Sequence, residues 1–302
     1  MKRFIKYIFI FGSGLFLYAL FANIILVKLL SISYGPSTKE QIMTQFDAVK
    51  NQNYELCILG SSRTYRGINP ALLSIKSYNF SHDNDAYNQM YYKLRYLIEE
   101  RKNPDYLILD IAYTPFTHFS DTRNYIYADY FSDEYMRDYS LSAYWSKFDE
   151  WTNNMSILKL LAVIRGRKNI PYLTNAGQYI LISKASPDDF TYRTTSIDKL
   201  QLDYFDKILA CCNDFNITVF LLIPPMRENE LKEYNDEVRL KFSILINNII
   251  DKYNKKNIHL LDFATEKGYD LNDYSDISHF TKIGADKFTR QLNDSLIKYC
   301  RK

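Results

Sequence analysis

Residues 55 to 69 read Glu-Leu-Cys-Ile-Leu-Gly-Ser-Ser-Arg-Thr-Tyr-Arg-Gly-Ile-Asn, and this stretch contains the first predicted strand and the polar turn after it. The apolar run from Leu56 to Leu59 has the length and composition of a buried parallel strand. Gly60 allows a tight turn after it, and Ser61 and Ser62 follow on a loop. Ligands of open α/β sheets bind beyond the carboxyl ends of the strands, so both hydroxyls lie in a favoured place. A helix N-cap by either serine explains the same residues without any function.

Strands and helices alternate along much of the remaining chain. Short apolar strands are predicted at residues 78–80, 106–111, 217–223 and 259–263. Apolar residues recur at helical spacing over residues 86–102, 195–215 and 228–255, and a closing helix ends near residue 299. This alternation predicts a parallel sheet with right-handed crossovers. We therefore expect an α/β fold, a three-layer α/β/α sandwich around a five-stranded, flavodoxin-like sheet.

The N-terminus has the pattern of a membrane anchor. Lys2, Arg3 and Lys6 precede an apolar segment over residues 7–27, which at about 1.5 Å per residue spans roughly the 30 Å of a bilayer core. We predict one transmembrane helix over residues 7–30, with residues 1–6 in the cytoplasm because positive charges favour that side. The rest of this single-pass protein would then be periplasmic or extracellular. A cleaved signal peptide is the alternative, although the apolar region is long and lacks a clear cleavage site.

The remaining pattern divides the chain further. Residues 31–52 are predicted to form a spacer, and residues 53–114 and 195–302 the α/β domain. Residues 115–194 interrupt the alternation with a mostly helical insertion rich in aromatic residues, which we place over the carboxyl edge of the sheet. Its rings have the chemistry to contact sugars or lipid headgroups, but a core of the insertion itself is the simpler interpretation.

The composition argues against several functions. Of the 302 residues, 47% are hydrophobic and 24% charged, and the net charge of +3 comes from scattered basic residues. Nucleic-acid binding therefore has no support. Cys57, Cys211, Cys212 and Cys300 have the spacing of neither a zinc site nor a disulfide framework. The sequence implies no metal and no dissociable cofactor.

A serine nucleophile needs a base, and the base needs a group that orients it. His279 follows the fifth predicted strand, and in a sheet ordered 2-1-3-4-5 the first and fifth strands end on the same edge. Ser62 and His279 can therefore meet, and Asp276 can turn its carboxylate towards the imidazole. For an isolated Asp-x-x-His, a turn residue beside a surface histidine is the commoner explanation.

Two motifs resemble those of a known superfamily. Gly-Ser-Ser at residues 60–62 and Asp-Ile-Ser-His-Phe-Thr-Lys-Ile-Gly at residues 276–284 resemble the first and last motif blocks of the SGNH (GDSL-like) hydrolases. Gly-Ser-Ser in place of Gly-Asp-Ser resembles the membrane-anchored members that act in cell-envelope acyl transfer, including D-alanyl transfer and polysaccharide O-acetylation. The resemblance implies Ser62 as nucleophile, His279 as general base and Asp276 as its orienting acid. It implies a serine esterase or O-acyltransferase acting on acyl esters of cell-envelope glycans.

The middle blocks of that superfamily fit less well. Asn79 matches the asparagine of the second block, but Asn84 stands where the family has a loop glycine that donates to the oxyanion. The third-block asparagine is replaced by Asp-Ile-Ala-Tyr-Thr at residues 110–114. Asn84, Thr114, Arg63 and Asn79 are the candidate oxyanion or substrate contacts, with the main-chain amides of Ser62 and Asn84 as donors. Losing one donor costs on the order of 3 kcal/mol.

This divergence leaves an alternative function open. The chain could be a catalytically weak or inactive SGNH-like protein that binds glycan or assists assembly in an envelope acylation system. A purely structural membrane protein has less support, because serine, aspartate and histidine stand at the expected strand ends. The expected partners are the membrane, a cell-envelope glycan and a multispanning membrane protein that exports the acyl group.

Overall fold

The structure, a computed structural model, describes residues 1–112, 114–116, 123–131, 133–166, 172–181, 183, 185–186, 196–234, 236–253 and 255–300. Its α-helices are α1 (Lys2–Phe21), α2 (Val27–Tyr34), α3 (Thr38–Asn51), α4 (Ser62–Gly67), α5 (Tyr87–Glu99), α6 (Asn124–Tyr127), α7 (Asp133–Asn154), α8 (Ile157–Ile164), α9 (Lys199–Asp214), α10 (Glu228–Glu233), α11 (Asp236–Ile250) and α12 (Lys282–Cys300). Its strands are β1 (Leu56–Leu59), β2 (Ser77–Asn79), β3 (Tyr106–Asp110), β4 (Tyr172–Leu173), β5 (Tyr179–Ile180), β6 (Thr218–Ile223) and β7 (Ile258–Asp262). A π-helical segment, Ala22–Leu26, joins α1 to α2.

The chain forms two compact units. We call Met1–Met43 with Ser120–Tyr172 the N-terminal unit, and Thr44–Phe119 with Leu173–Lys302 the sheet unit.

The sheet unit is built on a five-stranded sheet in the order β2-β1-β3-β6-β7. Every pair of neighbouring strands is parallel. The five strands therefore have the predicted order 2-1-3-4-5, and the residues that follow β1 and β7 reach the same edge. The candidate site residues Ser62 and His279, which follow β1 and β7, therefore lie at this edge.

Helices cover both faces of this sheet, which makes the predicted three-layer α/β/α sandwich. The central strands are short and buried. Because successive side chains of a strand point to opposite faces of the sheet, these strands contribute to two apolar layers. One layer packs against α12 and contains Leu56, Ile58, Ile108, Phe220, Leu222 and Leu261 with Ala285, Phe288, Leu292 and Leu296. Helices α5 and α9 contact each other, and α9 contacts β6.

The prediction of one continuous helix over residues 228–255 is wrong, because α10 ends at Glu233 and α11 begins at Asp236. Tyr234 leaves the helical conformation, with φ of −108° and ψ of 86°, and its side chain is buried. The sequence Asn-Asp at residues 235–236 explains the break, since both residue types favour turns and N-caps over helix interiors. The helix predicted from residue 195 begins instead at Lys199, after an N-cap by Asp198.

Among its described residues, the N-terminal unit contains one helical stretch, Lys2–Ile32, that is long and apolar enough to cross a membrane. The described helices of the predicted insertion, α6 to α8, belong to the same unit, and their aromatic side chains include a buried and an exposed group. The rings of Tyr127, Phe131 and Tyr135 are buried, and the first two stack at 5.2 Å between centroids. Trp145 and Trp151 are instead exposed on α7. A core of the insertion itself therefore explains the first group only.

Candidate active site

Residues 60–63, which we call the serine turn, connect β1 to α4. Gly60 is required there, because a Cβ at this position would lie 2.2 Å from Thr64 Oγ1 and 2.5 Å from Asp110 Cβ. Ser61 is the N-cap of α4, and its Oγ accepts a hydrogen bond from the Arg63 amide. Ser62 is the first residue of the helix. The cap and the functional interpretation of the two serines are therefore compatible, since each applies to a different hydroxyl.

A buried carboxylate fixes the serine turn from the neighbouring strand. Asp110, the last residue of β3, has no exposed surface. Its Oδ2 accepts hydrogen bonds from Ser61 Oγ at 2.6 Å and from the Ser61 amide at 3.2 Å, and its Oδ1 accepts from the Ala112 amide at 2.9 Å. Asp110 occupies the third-block position, but it acts on Ser61 as an acceptor and so cannot replace an asparagine donor. No motif in the sequence predicts this role.

Residues 274–280, which we call the Asp-His loop, follow β7 at the same edge of the sheet. Tyr274 and Phe280 form an antiparallel bridge that closes the base of the loop. The Ser275 amide and hydroxyl both donate to the carbonyl of His279, at 2.8 and 3.1 Å. These bonds hold the main chain on either side of the imidazole.

The Asp-x-x-His spacing lets one carboxylate bind both its own loop and the imidazole. Asp276 Oδ1 accepts from the amides of Ser278 and His279, each at 2.9 Å. Asp276 Oδ2 lies 2.7 Å from His279 Nδ1. Burial opposes the charge of this carboxylate, but the hydrogen bonds and the charge of His279, together with the two amides, lower the pKa of Asp276 to about 2.

The structure brings Ser62, His279 and Asp276 into one hydrogen-bonded chain. His279 Nε2 lies 2.7 Å from Ser62 Oγ across 217 residues of sequence. An ionised carboxylate only accepts hydrogen bonds, so Nδ1 carries the imidazole proton and Nε2 is left as the acceptor for the Ser62 hydroxyl. The side chains of Ser62 and His279 are half-buried, and Asp276 is 41% exposed.

Two further candidate residues support the serine turn from inside the protein. Asn79 is fully buried, and its Nδ2 donates to the carbonyls of Thr64 at 2.8 Å and Ile68 at 3.2 Å. Arg63 is also buried and forms an ion pair with Glu230 on α10. The structure therefore places both side chains in contact with protein groups rather than at an open substrate surface.

The remaining two candidate oxyanion or substrate contacts are Asn84 and Thr114. Asn84 is exposed and has a φ of 57°, the left-handed conformation that glycine adopts most easily and asparagine tolerates. Its main chain therefore has a conformation that glycine would also adopt. Thr114 begins a short 3-10 helix, Thr114–Phe116, and its side chain lies outside the described residues.

Arg227, a residue outside the predicted motifs, connects the loop after β6 to the Asp-His loop by a hydrogen bond. Its Nη1 donates to the Asp276 carbonyl at 3.1 Å and its Nη2 to the Ser186 carbonyl at 2.9 Å. Its guanidinium also lies 5.9 Å from the centre of the Tyr274 ring. Within the described ranges, no group of three or more His, Cys, Asp or Glu side chains is arranged to hold a metal ion.

Comparison with known proteins gives distant similarities. No protein-family model and no curated protein matches the sequence. A candidate platelet activating factor from Streptococcus pneumonia is similar over 85% of this chain and 92% of its own, with 13% identity and a TM-score of 0.40. An active site mutant of a family two carbohydrate esterase from Clostridium thermocellum is similar over 82% of this chain and 64% of its own, with 8% identity and a TM-score of 0.38. These values are too low to carry function across, so we infer the function from the geometry of the side chains.

Proposed function

We propose that this chain is an SGNH-like serine esterase or O-acyltransferase, anchored in a membrane, that acts on acyl esters of cell-envelope glycans. The observation that carries the proposal is the chain of hydrogen bonds from Ser62 Oγ to His279 Nε2 and from His279 Nδ1 to Asp276, each of 2.7 Å. Nucleophile, base and orienting acid have this relation in serine hydrolases.

The first half of the reaction forms an acyl-enzyme. Ser62 Oγ attacks the ester carbonyl carbon while its proton passes to His279 Nε2, and the carbonyl oxygen becomes an oxyanion. The ester C–O bond then breaks, and the leaving alcohol takes the proton from Nε2. Asp276 stays ionised at neutral pH, because its pKa is lowered to about 2, and so stabilises the imidazolium in between.

The second half regenerates the serine. Water or a sugar hydroxyl gives its proton to His279 Nε2 and attacks the acyl carbon, and Ser62 Oγ leaves with that proton. Water as acceptor makes the chain an esterase, and a sugar hydroxyl makes it an acyltransferase. Membrane anchoring favours transfer, since it would hold Ser62 near an acyl donor exported by a multispanning partner.

The proposed oxyanion hole consists of main-chain amides. The Ser62 amide is at the first position of α4, where helical amides have no partner within the helix. The Asn84 amide is the second proposed donor, because Asn84 stands at the motif position of the superfamily's loop glycine and has a left-handed main chain that suits glycine. We assign the hole no side-chain donor, since the oxygens of Asp110 accept bonds from Ser61 and Ala112.

That missing donor also supports the alternative, a weakly active or inactive protein that binds glycan or assists assembly. Loss of one oxyanion donor lowers a rate by roughly 10² to 10³. Under this alternative, glycan binding would survive Ser62→Ala and the wild-type protein would release no acyl group.

An ester assay on the full-length protein in detergent separates these functions. We expect wild type to release alcohol from acetylated oligosaccharides or an aryl acetate, and Ser62→Ala to release none. Ser278→Ala is the matched control, because Ser278 gives its main-chain N–H to Asp276 and the substitution keeps that group. Acylated sugar among the products would identify transfer. Equal rates for wild type and Ser62→Ala would refute the proposed reaction.

A further inference from the structure

The end of α7 and the whole of α8, residues 145–165, lie against the apolar helix of the N-terminal unit, Lys2–Ile32. We call this segment, in which α8 follows α7 after a short break, the hairpin. Helix α7 contacts α1 and the π-helical segment, and α8 contacts the π-helical segment and α2. Ala19, Ala22 and Leu26 are the buried residues of the apolar helix. Their spacing puts them on one stripe, and the two alanines allow close approach of another helix.

The hairpin and the apolar helix satisfy each other's polar groups. Asn23 Nδ2 donates to the Trp151 carbonyl at 3.1 Å, and Tyr18 Oη donates to the Met155 carbonyl at 2.7 Å. Asn154 Nδ2 donates to Asn23 Oδ1 at 2.9 Å, and Lys159 Nζ donates to Asn154 Oδ1 at 3.3 Å.

The carbonyls of Trp151 and Met155 lie at the C-terminal end of α7, where water usually donates the hydrogen bonds that the helix cannot. Here side chains of the apolar helix donate these hydrogen bonds. The amides of Met155 and Ser156 donate to the carbonyls of Thr152 and Asn153 in the same turn. Internal satisfaction of this kind is what a helix end needs in lipid.

The outer surface of α8 is apolar, whereas the end of α7 exposes Lys147, Asp149 and Asn153 beside its aromatic rings. Ile157, Leu158, Leu161 and Ile164 on α8 are between 38% and 76% exposed, and none of the residues of α8 is buried. Trp145, Phe148 and Trp151 are exposed on α7. Tryptophan is typical of the membrane interface, and a surface of this kind is unusual for a helix that faces water.

Helix α8 is as long as the part of the apolar helix that leads from Tyr18 to Leu26, since its eight residues rise about 12 Å. Arg165 follows α8 and Lys28 follows Leu26, and both side chains are exposed. Basic residues at the end of an apolar stretch are typical of the lipid headgroup region.

We propose that the α7–α8 hairpin enters the lipid bilayer beside the apolar helix, with the exposed face of α8 against acyl chains and the hairpin tip at the level of Tyr18. The inference rests on the proposed membrane anchoring and goes beyond the proposed reaction. Lipid is the occupant because the exposed face of α8 continues the exposed apolar surface of a helix with the composition of a membrane span.

Tryptophan fluorescence in vesicles that contain brominated phosphatidylcholine tests the proposal. The two tryptophans of the chain, Trp145 and Trp151, both lie on α7. With both replaced by phenylalanine, single reporters are introduced into the reconstituted full-length protein as Leu158→Trp, Ile164→Trp, Phe9→Trp or Phe215→Trp. Phe9 is an exposed residue of the apolar helix, and Phe215 an exposed residue of the sheet unit.

We expect bromines deep in the acyl chains to remove more than half of the emission of Leu158→Trp. Bromines near the headgroup should quench Ile164→Trp more strongly than deep ones do, and neither should quench Phe215→Trp. Quenching of Phe9→Trp without quenching of Leu158→Trp would overturn the proposal and leave the anchor in place. Absence of quenching for both Phe9→Trp and Leu158→Trp would overturn the proposed hairpin insertion and the proposed membrane anchor together. Because no activity is measured, neither result bears on the ester reaction.

Discussion

The two halves of the candidate site are held in different ways. Buried groups from distant elements fix the serine turn, since Asp110 at the end of β3 binds Ser61 and Glu230 on α10 binds Arg63. Hydrogen bonds within the loop fix much of the Asp-His loop, and Asp276 there is 41% exposed. Removing one partner from a buried polar pair is costly because the other partner is left uncompensated, whereas local contacts beside solvent contribute little. We therefore expect substitutions in the serine turn to affect stability most, and those in the Asp-His loop to affect the rate.

The largest effect should come from Asp276→Asn. The amide can no longer stabilise the imidazolium or select the Nδ1–H tautomer, so we expect kcat to fall by about 10³- to 10⁴-fold. The midpoint of chemical unfolding should change little. Ester hydrolysis and denaturation of the same preparation measure both quantities. Asp270→Asn, which alters the cap of the neighbouring 3-10 turn, should keep the rate; equal losses in the two variants would remove the distinction between the halves.

Glu230→Gln should have the largest effect on stability. It leaves the buried Arg63 guanidinium without its carboxylate, which we expect to destabilise the fold by about 3–5 kcal/mol. Glu228→Gln is the matched control on the same helix, because Glu228 pairs with Lys232 at the surface, and its effect should stay below about 1 kcal/mol. Denaturant unfolding in detergent gives both values. Similar values for the two variants would contradict a stabilising role for the buried pair.

Asp110→Asn should have an intermediate effect on stability. The amide puts a donor against the donors of Ser61 or Ala112, and we expect a loss of about 2 kcal/mol. Asp262 ends β7 and accepts from the Ala264 amide in the same geometry, but it is exposed. Asp262→Asn should therefore cost less than half as much. A larger loss for Asp262→Asn would show that burial of the carboxylate is not what matters.

The sequence predicts the sheet and the candidate triad better than the contacts that support them. The apolar runs at residues 56–59, 106–111 and 217–223 predict three of the five strands, because a parallel sheet needs continuous apolar strands. The strand order follows from the flavodoxin-like sheet that alternating strands and helices suggest. The two motif blocks led to Ser62, Asp276 and His279, which the structure brings within hydrogen-bond distance of one another.

The supporting contacts could not be predicted in the same way. Arg63 and Glu230 are 167 residues apart, and no local pattern states that their side chains meet in the interior. Its motif predicts Asn79 as an oxyanion or substrate contact, whereas its side-chain amide donates to the carbonyls of Thr64 and Ile68 in the chain after Ser62. Asp110 offered one signal, a carboxylate at the end of a strongly apolar strand. Such a residue must find partners when the strand is buried.

The smallest expected effect is the pH dependence of the Asp-His loop. The pKa of Asp276 is lowered to about 2, so its carboxylate adds stability above about pH 4, and this contribution disappears as the pH falls through about 2. Because Asp276 is partly exposed, we expect about 1 kcal/mol. The difference in unfolding free energy between wild type and Asp276→Asn should shrink as the pH falls from about 4 to 2. A difference that grows in this window would have the wrong sign.

The most direct test of the central claim, that Ser62 is an activated nucleophile, is covalent labelling with a fluorophosphonate probe. Wild type, Ser62→Ala, Ser61→Ala and His279→Ala are treated as full-length proteins in detergent, and the labelled residue is identified by peptide mass. We expect one phosphonyl group on Ser62 in wild type, none in Ser62→Ala, little in His279→Ala and retained labelling in Ser61→Ala wherever that variant is folded. A folded wild-type protein that takes no label, or a label that persists in Ser62→Ala, would contradict the claim.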